Sequence, residues 1–375
     1  MKYYIIAGEA SGDLHGSNLM KGLKLVDPNA DFRFWGGDLM LEQGGKIVKH
    51  YRETAIMGFV EVVLNLGKIK QFFKECKSDI QSYKPDVLIL IDYPGFNLRM
   101  AEFAKSIGLK AYYYISPKIW AWKESRIKKI KAFVDKMFVI FPFEVDFFKK
   151  HNYPVDYAGN PLLDAVQETI DEKGSLEEFI AKNKLDNKPI IGILAGSRKQ
   201  EIDRNLGIML DLVPNYKDYQ FVIAAAPSIE LEYYNKFIEG YDVKVVDKQT
   251  YDTLKYSTEA LVTSGTATLE TALFNIPQVV CYRAGNLSYF IAKQFVKLDY
   301  ISLVNLIMDS EVVKELIQFD MNPKMVKEEL DKILFNETRR NRMLNDYHKL
   351  REVLGGTGAS ERVAKLIFNY LKEAN

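Results

Sequence analysis

The sequence predicts an α/β protein of two domains, each built on a parallel sheet of buried strands. At 375 residues the chain exceeds what one hydrophobic core usually supports. Short, continuously apolar, β-rich runs alternate with amphipathic segments. Unbroken apolarity suits strands covered on both faces, whereas a sheet with one wet face reads as alternation. The runs also fall into two series, with a charge-rich stretch between them.

The first series comprises Tyr3 to Ala7, Phe32 to Trp35, Val87 to Ile91, Ala111 to Ile115 and Met137 to Phe141. The second comprises Ile190 to Leu194, Phe221 to Ala225, Val243 to Val246, Ala260 to Val262 and Val279 to Tyr282. Between them, from about Gly159 to Lys188, Asn160-Pro161 and the charged run Asp171 to Lys188 read as a linker with one peripheral helix. Helical patterning after Pro323 continues to Leu354, where Gly355, Gly356 and Gly358 break it and Ser360 is a candidate cap for a last helix, Glu361 to Glu373. The expected organisation is therefore one domain over 1–165, a second over 185–350, and a terminal helix over 355–375 that crosses back or is exchanged.

Composition narrows the function. Fifty-one Lys and Arg against 50 Asp and Glu leave a formal net charge of +1, which gives no general field for nucleic acid. Cys76 and Cys281 lack metal-ligand spacing and read as free thiols in a reducing compartment. None of the four histidines has a partner at metal-ligand spacing, so no metal is expected. The N-terminus lacks the long apolar stretch of a signal peptide, which makes a cytoplasmic protein the expectation.

In an open parallel sheet, ligands collect outside the carboxyl ends of the strands. Gly196-Ser197-Arg198 follows one run and brings amides, a hydroxyl and a guanidinium to a strand-to-helix turn, a phosphate-binding chemistry. Ser264-Gly265-Thr266-Ala267-Thr268 ends another run, and Glu270 lies about a helical turn past Thr266, where a carboxylate can accept ribose hydroxyls. Two such loops favour a nucleoside diphosphate; a surface Arg and an ordinary Ser cap are the plainer alternatives. The first series opens on Gly8-Glu9-Ala10-Ser11-Gly12-Asp13-Leu14-His15, which lacks the G-x-G-x-x-G spacing and places acids where a pyrophosphate would sit. Asp92, ending Val87 to Ile91, should project from the same edge. Glu9, Asp13, His15 and Asp92 are thus the candidate catalytic groups, with capping by Asp13 and a turn role for Asp92 as the alternatives.

Taken in order, GEASGDLHG, FWGGDLM, MGFVEVV, IDYPGFN, SPKIWAWKESRIKKIK, FPFE, AGNPLLD, AGSRKQEI, TSGTATLE and CYRAGNLSY resemble the lipid-A-disaccharide synthase family from the first strand to the last helix. The resemblance implies a GT-B architecture, two Rossmann-like domains facing across a cleft. It also implies an inverting, metal- and cofactor-independent transfer from UDP-2,3-diacylglucosamine to the 6-hydroxyl of 2,3-diacylglucosamine 1-phosphate. By that likeness Gly196, Ser197 and Arg198 contact the diphosphate, Ser264 to Thr268 form a second phosphate loop, Glu270 holds the ribose, and Asn305 matches an Asn of the donor site. Ala195, Asn160, Val304 and Asp309 depart from the family's usual Pro, His, Pro and Gly, which argues against catalysis at position 160. Another UDP-sugar enzyme and a non-enzymatic two-domain binding protein are the competing readings.

Acylated substrates give a second meaning to 56–74. Phe59, Val60, Val63, Leu66 and Ile69, interspersed with Lys68 and Lys70, form either a core helix or a monotopic contact with an anionic membrane surface, at the inner face of the inner membrane by the resemblance. Pro117 to Lys131 joins two indoles to six basic side chains and reads likewise as a phosphate or membrane surface, or as a solvated helix. The break at Leu354 to Ser360 is compatible with a homodimer formed through the C-terminal portions.

Overall fold

The computed structural model describes residues 1–54, 66–122, 124–285 and 299–373. The chain divides into two compact units, Met1–Pro161 with Gly355–Asn375, and Leu162–Leu354. Each is α/β and is built on one parallel sheet.

In the first unit the described strands are β1 (Lys2–Ala7), β2 (Asp31–Gly36), β3 (Lys46–His50), β4 (Val87–Ile91), β5 (Lys110–Tyr114), β6 (Lys136–Val139) and β7 (Asp156–Tyr157), in the order β3-β2-β1-β4-β5-β6-β7. The central strands are almost wholly buried, because their Tyr, Ile, Leu and Val side chains meet helices on both faces. The order reverses between β1 and β4. Since crossovers are right-handed, the helix after β1 (Ala10–Val26) and the helix after β4 (Pro94–Ser106) cover opposite faces and leave the gap between those strands open at their carboxyl ends. The terminal helix Ala359–Glu373 packs along Ala10–Val26 at Gly22, where an added Cβ would stand 3.0 Å from the Ala364 Cβ and 3.1 Å from the Glu361 Cα. Arg362 donates to the Ala158 carbonyl at 2.7 Å and the Tyr370 hydroxyl to Asp156 at 3.1 Å, tying that helix to the region of β7.

The second unit contains β8 (Ile190–Leu194), β9 (Gln220–Ala225), β10 (Val243–Asp247), β11 (Ser257–Thr263), β12 (Gln278–Tyr282) and β13 (Lys314–Ile317), in the order β10-β9-β8-β11-β12-β13. Its reversal falls between β8 and β11, which are followed by the helices Lys199–Leu210 and Thr266–Leu273. A buried Glu259 on β11 pairs with Arg340 on the Glu337–Val353 helix and pins that helix to the sheet.

Several local expectations change. The stretch after Pro161 holds two helices of the second unit, Leu162–Asp171 and Leu176–Asn183, because Leu162, Leu163, Ala165 and Val166 are buried. The run after Pro323 is two helices, Pro323–Phe335 and Glu337–Val353, with Asn336 ending one and capping the other. Ser360 lies inside the last helix, which begins at Ala359, so it is no cap.

Candidate active site

Along the carboxyl edge of the first sheet, Ala7 pairs with Ile91 and Ile91 with Tyr114, so the segments that follow β1, β4 and β5 emerge side by side. Gly8 permits this closeness, since a Cβ there would stand 2.4 Å from the Tyr93 ring. Asp92 and Tyr93 both adopt left-handed backbone, at φ 42° and 46°, a conformation that costs a non-glycine residue on the order of 1 kcal/mol or more. The fold imposes it through Asn97, whose Nδ2 donates to the carbonyls of Asp92 at 2.8 Å and Ile91 at 3.2 Å, and through the Tyr113 hydroxyl, which also donates to the Asp92 carbonyl. Asn97 and Tyr113 act by aiming Asp92, and neither is visible as functional in the sequence.

The Asp92 carboxyl is partly exposed, yet desolvation pushes its pKa up to about 6; Lys118 opposes the rise and Glu9 adds to it. Glu9 precedes the Ala10–Val26 helix without capping it, and accepts from the Ser11 hydroxyl at 3.3 Å. His15 is buried, its Nδ1 has no partner among the described residues, and burial followed by the Lys118 charge drives its pKa down to about 4. It is therefore neutral at pH 7 and a weaker proton acceptor there than Asp92. The structure thus brings together Glu9, Asp92 and His15, and adds Lys118.

Asp13 is the correction on this edge. Its carboxylate is buried and accepts from the backbone amides of Gly37 at 2.7 Å, Leu39 at 3.1 Å and Met40 at 3.1 Å. It caps the Asp38–Glu42 helix of the neighbouring crossover, a structural task that occupies both of its oxygens.

In the second unit, Leu194 pairs with Val262, so the turns after β8 and β11 are again adjacent. Gly196 takes φ 121°, and a Cβ there would meet the Glu201 side chain at 2.6 Å. Glu201 folds back over the turn, accepting from the Ser197 amide at 2.9 Å and standing 3.6 Å from the exposed Arg198 guanidinium. In the other loop the amides of Gly265, Thr266 and Ala267 have no acceptor among the described residues, and Gly265 and Thr266 are exposed. The Glu270 carboxyl accepts from the Tyr251 hydroxyl at 2.9 Å; desolvation raises its pKa and that hydrogen bond partly offsets the rise. Tyr251, absent from the expected set, orients Glu270 and leaves its second oxygen for another donor.

Three expectations here are corrected. Thr268 is buried and its hydroxyl donates to the Gly265 carbonyl at 2.9 Å, shaping the loop from inside. Ser264 spends its hydroxyl proton on the Ile301 carbonyl at 2.9 Å. Asn305 is fully buried: its amide donates to Val313 and Glu315 and its oxygen accepts from Val312 and Val313, all at 2.9 or 3.0 Å, so it ties the Leu303–Met308 helix to β13 and presents nothing to a ligand. Of the departures, Asn160 is buried and donates to the Ile140 carbonyl at 3.0 Å, and Asp309 takes left-handed backbone at φ 47° as it ends that helix.

Of the surface stretch, Phe59, Val60 and Val63 lie outside the described residues, as does the Leu66 side chain. Lys68 and Lys70 are exposed and Ile69 half-buried on the helix Leu66–Tyr83. Lys70, Phe73, Lys74 and Lys77 line a shallow groove of about 450 Å³. Trp120 is no free surface indole, since it donates to the buried Glu144 carboxylate at 3.2 Å. Among the described residues no helix is long and apolar enough to cross a membrane.

A family model described as lipid-A-disaccharide synthetase matches residues 3–367. The lipid-A-disaccharide synthase of Geobacter metallireducens is 37% identical over 374 residues, covering 98% of this chain and 96% of that protein. The synthase of Coxiella burnetii is 34% identical over 371 residues, covering 98% of each. Among solved structures, a UDP-GlcNAc 2-epimerase from Neisseria meningitidis bound to UDP-GlcNAc gives a TM-score of 0.70 at 14% identity, over 98% of this chain and all of that one. At that identity the likeness speaks to the fold alone, which is of GT-B type.

The Asp13 assignment predicts that Asp13→Ala, by stranding three backbone amides, lowers stability by about 2 kcal/mol in chemical denaturation, with Asp13→Asn losing less. Full stability with abolished turnover would instead return Asp13 to the catalytic set.

Proposed function

Since the chain belongs to the lipid-A-disaccharide synthase family, and is thereby a glycosyltransferase, we propose that it moves 2,3-diacylglucosamine from its UDP derivative to the 6-hydroxyl of 2,3-diacylglucosamine 1-phosphate, with inversion. The observation that carries this reading is the contrast between the two sheet edges. One presents a carboxyl poised near neutrality, the other free amides and a guanidinium.

Asp92 takes the proton of the 6-hydroxyl as that oxygen attacks the anomeric carbon of the donor. The bond from that carbon to the UDP oxygen breaks, and the electron pair leaves with UDP. Negative charge grows on the diphosphate, and Arg198 with the amides around Ser197 and Gly265 to Ala267 stabilises it, the office a metal ion fills in other transferases. Glu270, held by Tyr251, accepts from the ribose hydroxyls. Glu9 orients the acceptor sugar, and neutral His15 lines its pocket. The Glu201 carboxylate yields Ser197 and Arg198 to the incoming phosphates, since a like charge cannot share their donors at that distance.

The acyl chains call for a lipid-facing surface, and the groove of Phe73 with Lys70, Lys74 and Lys77 supports a one-sided contact with an anionic bilayer on the cytoplasmic side.

Release of UDP from UDP-diacylglucosamine, assayed with and without the monosaccharide acceptor, tests the reaction; acceptor-independent consumption would contradict a transferase. Because only ionised Asp92 accepts a proton, turnover should fall on the acid side with a midpoint near 6. Asp92→Asn should lower kcat by about 10²-fold or more and leave UDP affinity by calorimetry unchanged, whereas near-normal turnover would remove Asp92 from the role. Reversing charge at Lys68, Lys70 and Lys74 should reduce cosedimentation with anionic vesicles; undiminished binding would rule out this surface.

A further inference from the structure

The loop after β5 is built to hold one residue. Ile115, buried and β-branched, takes left-handed backbone at φ 64°, and its amide donates to the Phe138 carbonyl at 3.0 Å. Ser116 is buried and its hydroxyl donates to Glu144. Glu144, buried itself and unused by the reaction above, also accepts from the amides of Ile140 at 3.1 Å and Phe141 at 3.0 Å and from the Trp120 indole. Pro117 is buried and Ile119 is 1% exposed. Between them Lys118 alone reaches solvent. A strained β-branched residue and a buried carboxylate are each costly, and here both anchor the flanks of a single cation.

That cation sits where it matters. Ile91 pairs with Tyr114, so the loop leaves the sheet beside Asp92. The Lys118 charge acts on both Asp92 and His15, while its side chain has no hydrogen bond or ion pair among the described residues. Facing Asp92 are Glu9 from the β1 segment, the Tyr93 amide on its own turn, the Tyr113 hydroxyl on its carbonyl, and Lys118 from the β5 segment. Desolvation and Glu9 both favour the neutral acid, and of the charges acting on that carboxyl Lys118 is the positive one.

We propose that Lys118 is a positioning residue for the general base, its loop fixed by the Ser116–Glu144 anchor so that its ammonium stands on the Asp92 side of the sheet edge and favours the carboxylate that accepts the proton. The inference rests on Asp92 being that base. Covering the site with a sugar displaces water and reduces screening, so the influence of Lys118 on the carboxylate grows when substrate binds. Burial, with the same charge adding to it, keeps His15 unprotonated, which separates the two groups into one base and one neutral partner.

The test is a ¹³C-carboxyl NMR titration of aspartate-labelled protein without substrate, the Asp92 resonance assigned by its loss in Asp92→Asn, alongside the pH profile of kcat/KM. Lys118→Met should raise the Asp92 midpoint and the acid limb by about half a pH unit or more, lowering kcat/KM about threefold or more below the midpoint. Lys118→Arg, which keeps the charge, should return both toward the unmodified protein. A midpoint and limb unmoved in Lys118→Met would overturn the inference. A midpoint that moves in a protein transferring no sugar would support the coupling and overturn the reaction instead.

Discussion

The constraint on which the rest depends is the reversal of strand order in a parallel sheet. Right-handed crossovers lay successive helices on one face while strands are added in one direction. When the direction reverses, the next helix must go to the other face, and two strand ends are left with no helix bridging them. Each unit contains one such reversal, β1 against β4 and β8 against β11, and every group assigned a chemical task follows one of those strands or the adjacent β5. Backbone geometry thus decides where ligands meet the protein before any side chain does.

What the two openings offer is set by polar side chains whose hydrogen bonds go to the protein itself. Asp13 shapes the crossover next to β1, Asn97 and Tyr113 hold the left-handed turn at Asp92, and Glu144 fixes the loop of Lys118. In the second unit Thr268 and Asn305 shape the loops from inside, and Tyr251 orients Glu270. The hydrogen bonds named for these groups offset the cost of placing them in a low-dielectric interior. The outcome is an acid edge and an amide-rich edge on two sheets of the same construction.

The interior strands were legible in the sequence because burial on both faces writes continuous apolar runs. The strands that no run announced, β3, β7 and β13, all lie at sheet edges, where KIVKH and KELI hold only two apolar residues each among charged or polar ones and β7 is two residues long. Glu9, Asp92 and Arg198 were legible as polar residues just past strand ends, and Glu270 as a carboxylate about one turn into the helix that follows β11. Asp13 and Asn305 were misread, because the groups that occupy them lie 24 to 27 and 7 to 10 residues away along the chain and come near only through the fold. Lys118 was hidden within a basic run, and its separation from the neighbouring lysines appears only once Pro117 and Ile119 are seen to be buried.

The central claim is that the leaving nucleotide is held at the β8 and β11 reversal while the proton acceptor belongs to the β1 and β4 reversal. Diffraction from crystals soaked with UDP addresses it directly. The account predicts the diphosphate against the Arg198 guanidinium and the amides of Gly265 to Ala267, with the ribose on Glu270 and the Glu201 carboxylate displaced. Nucleotide density beside Asp92, or anywhere away from Arg198 and Glu270, would contradict it.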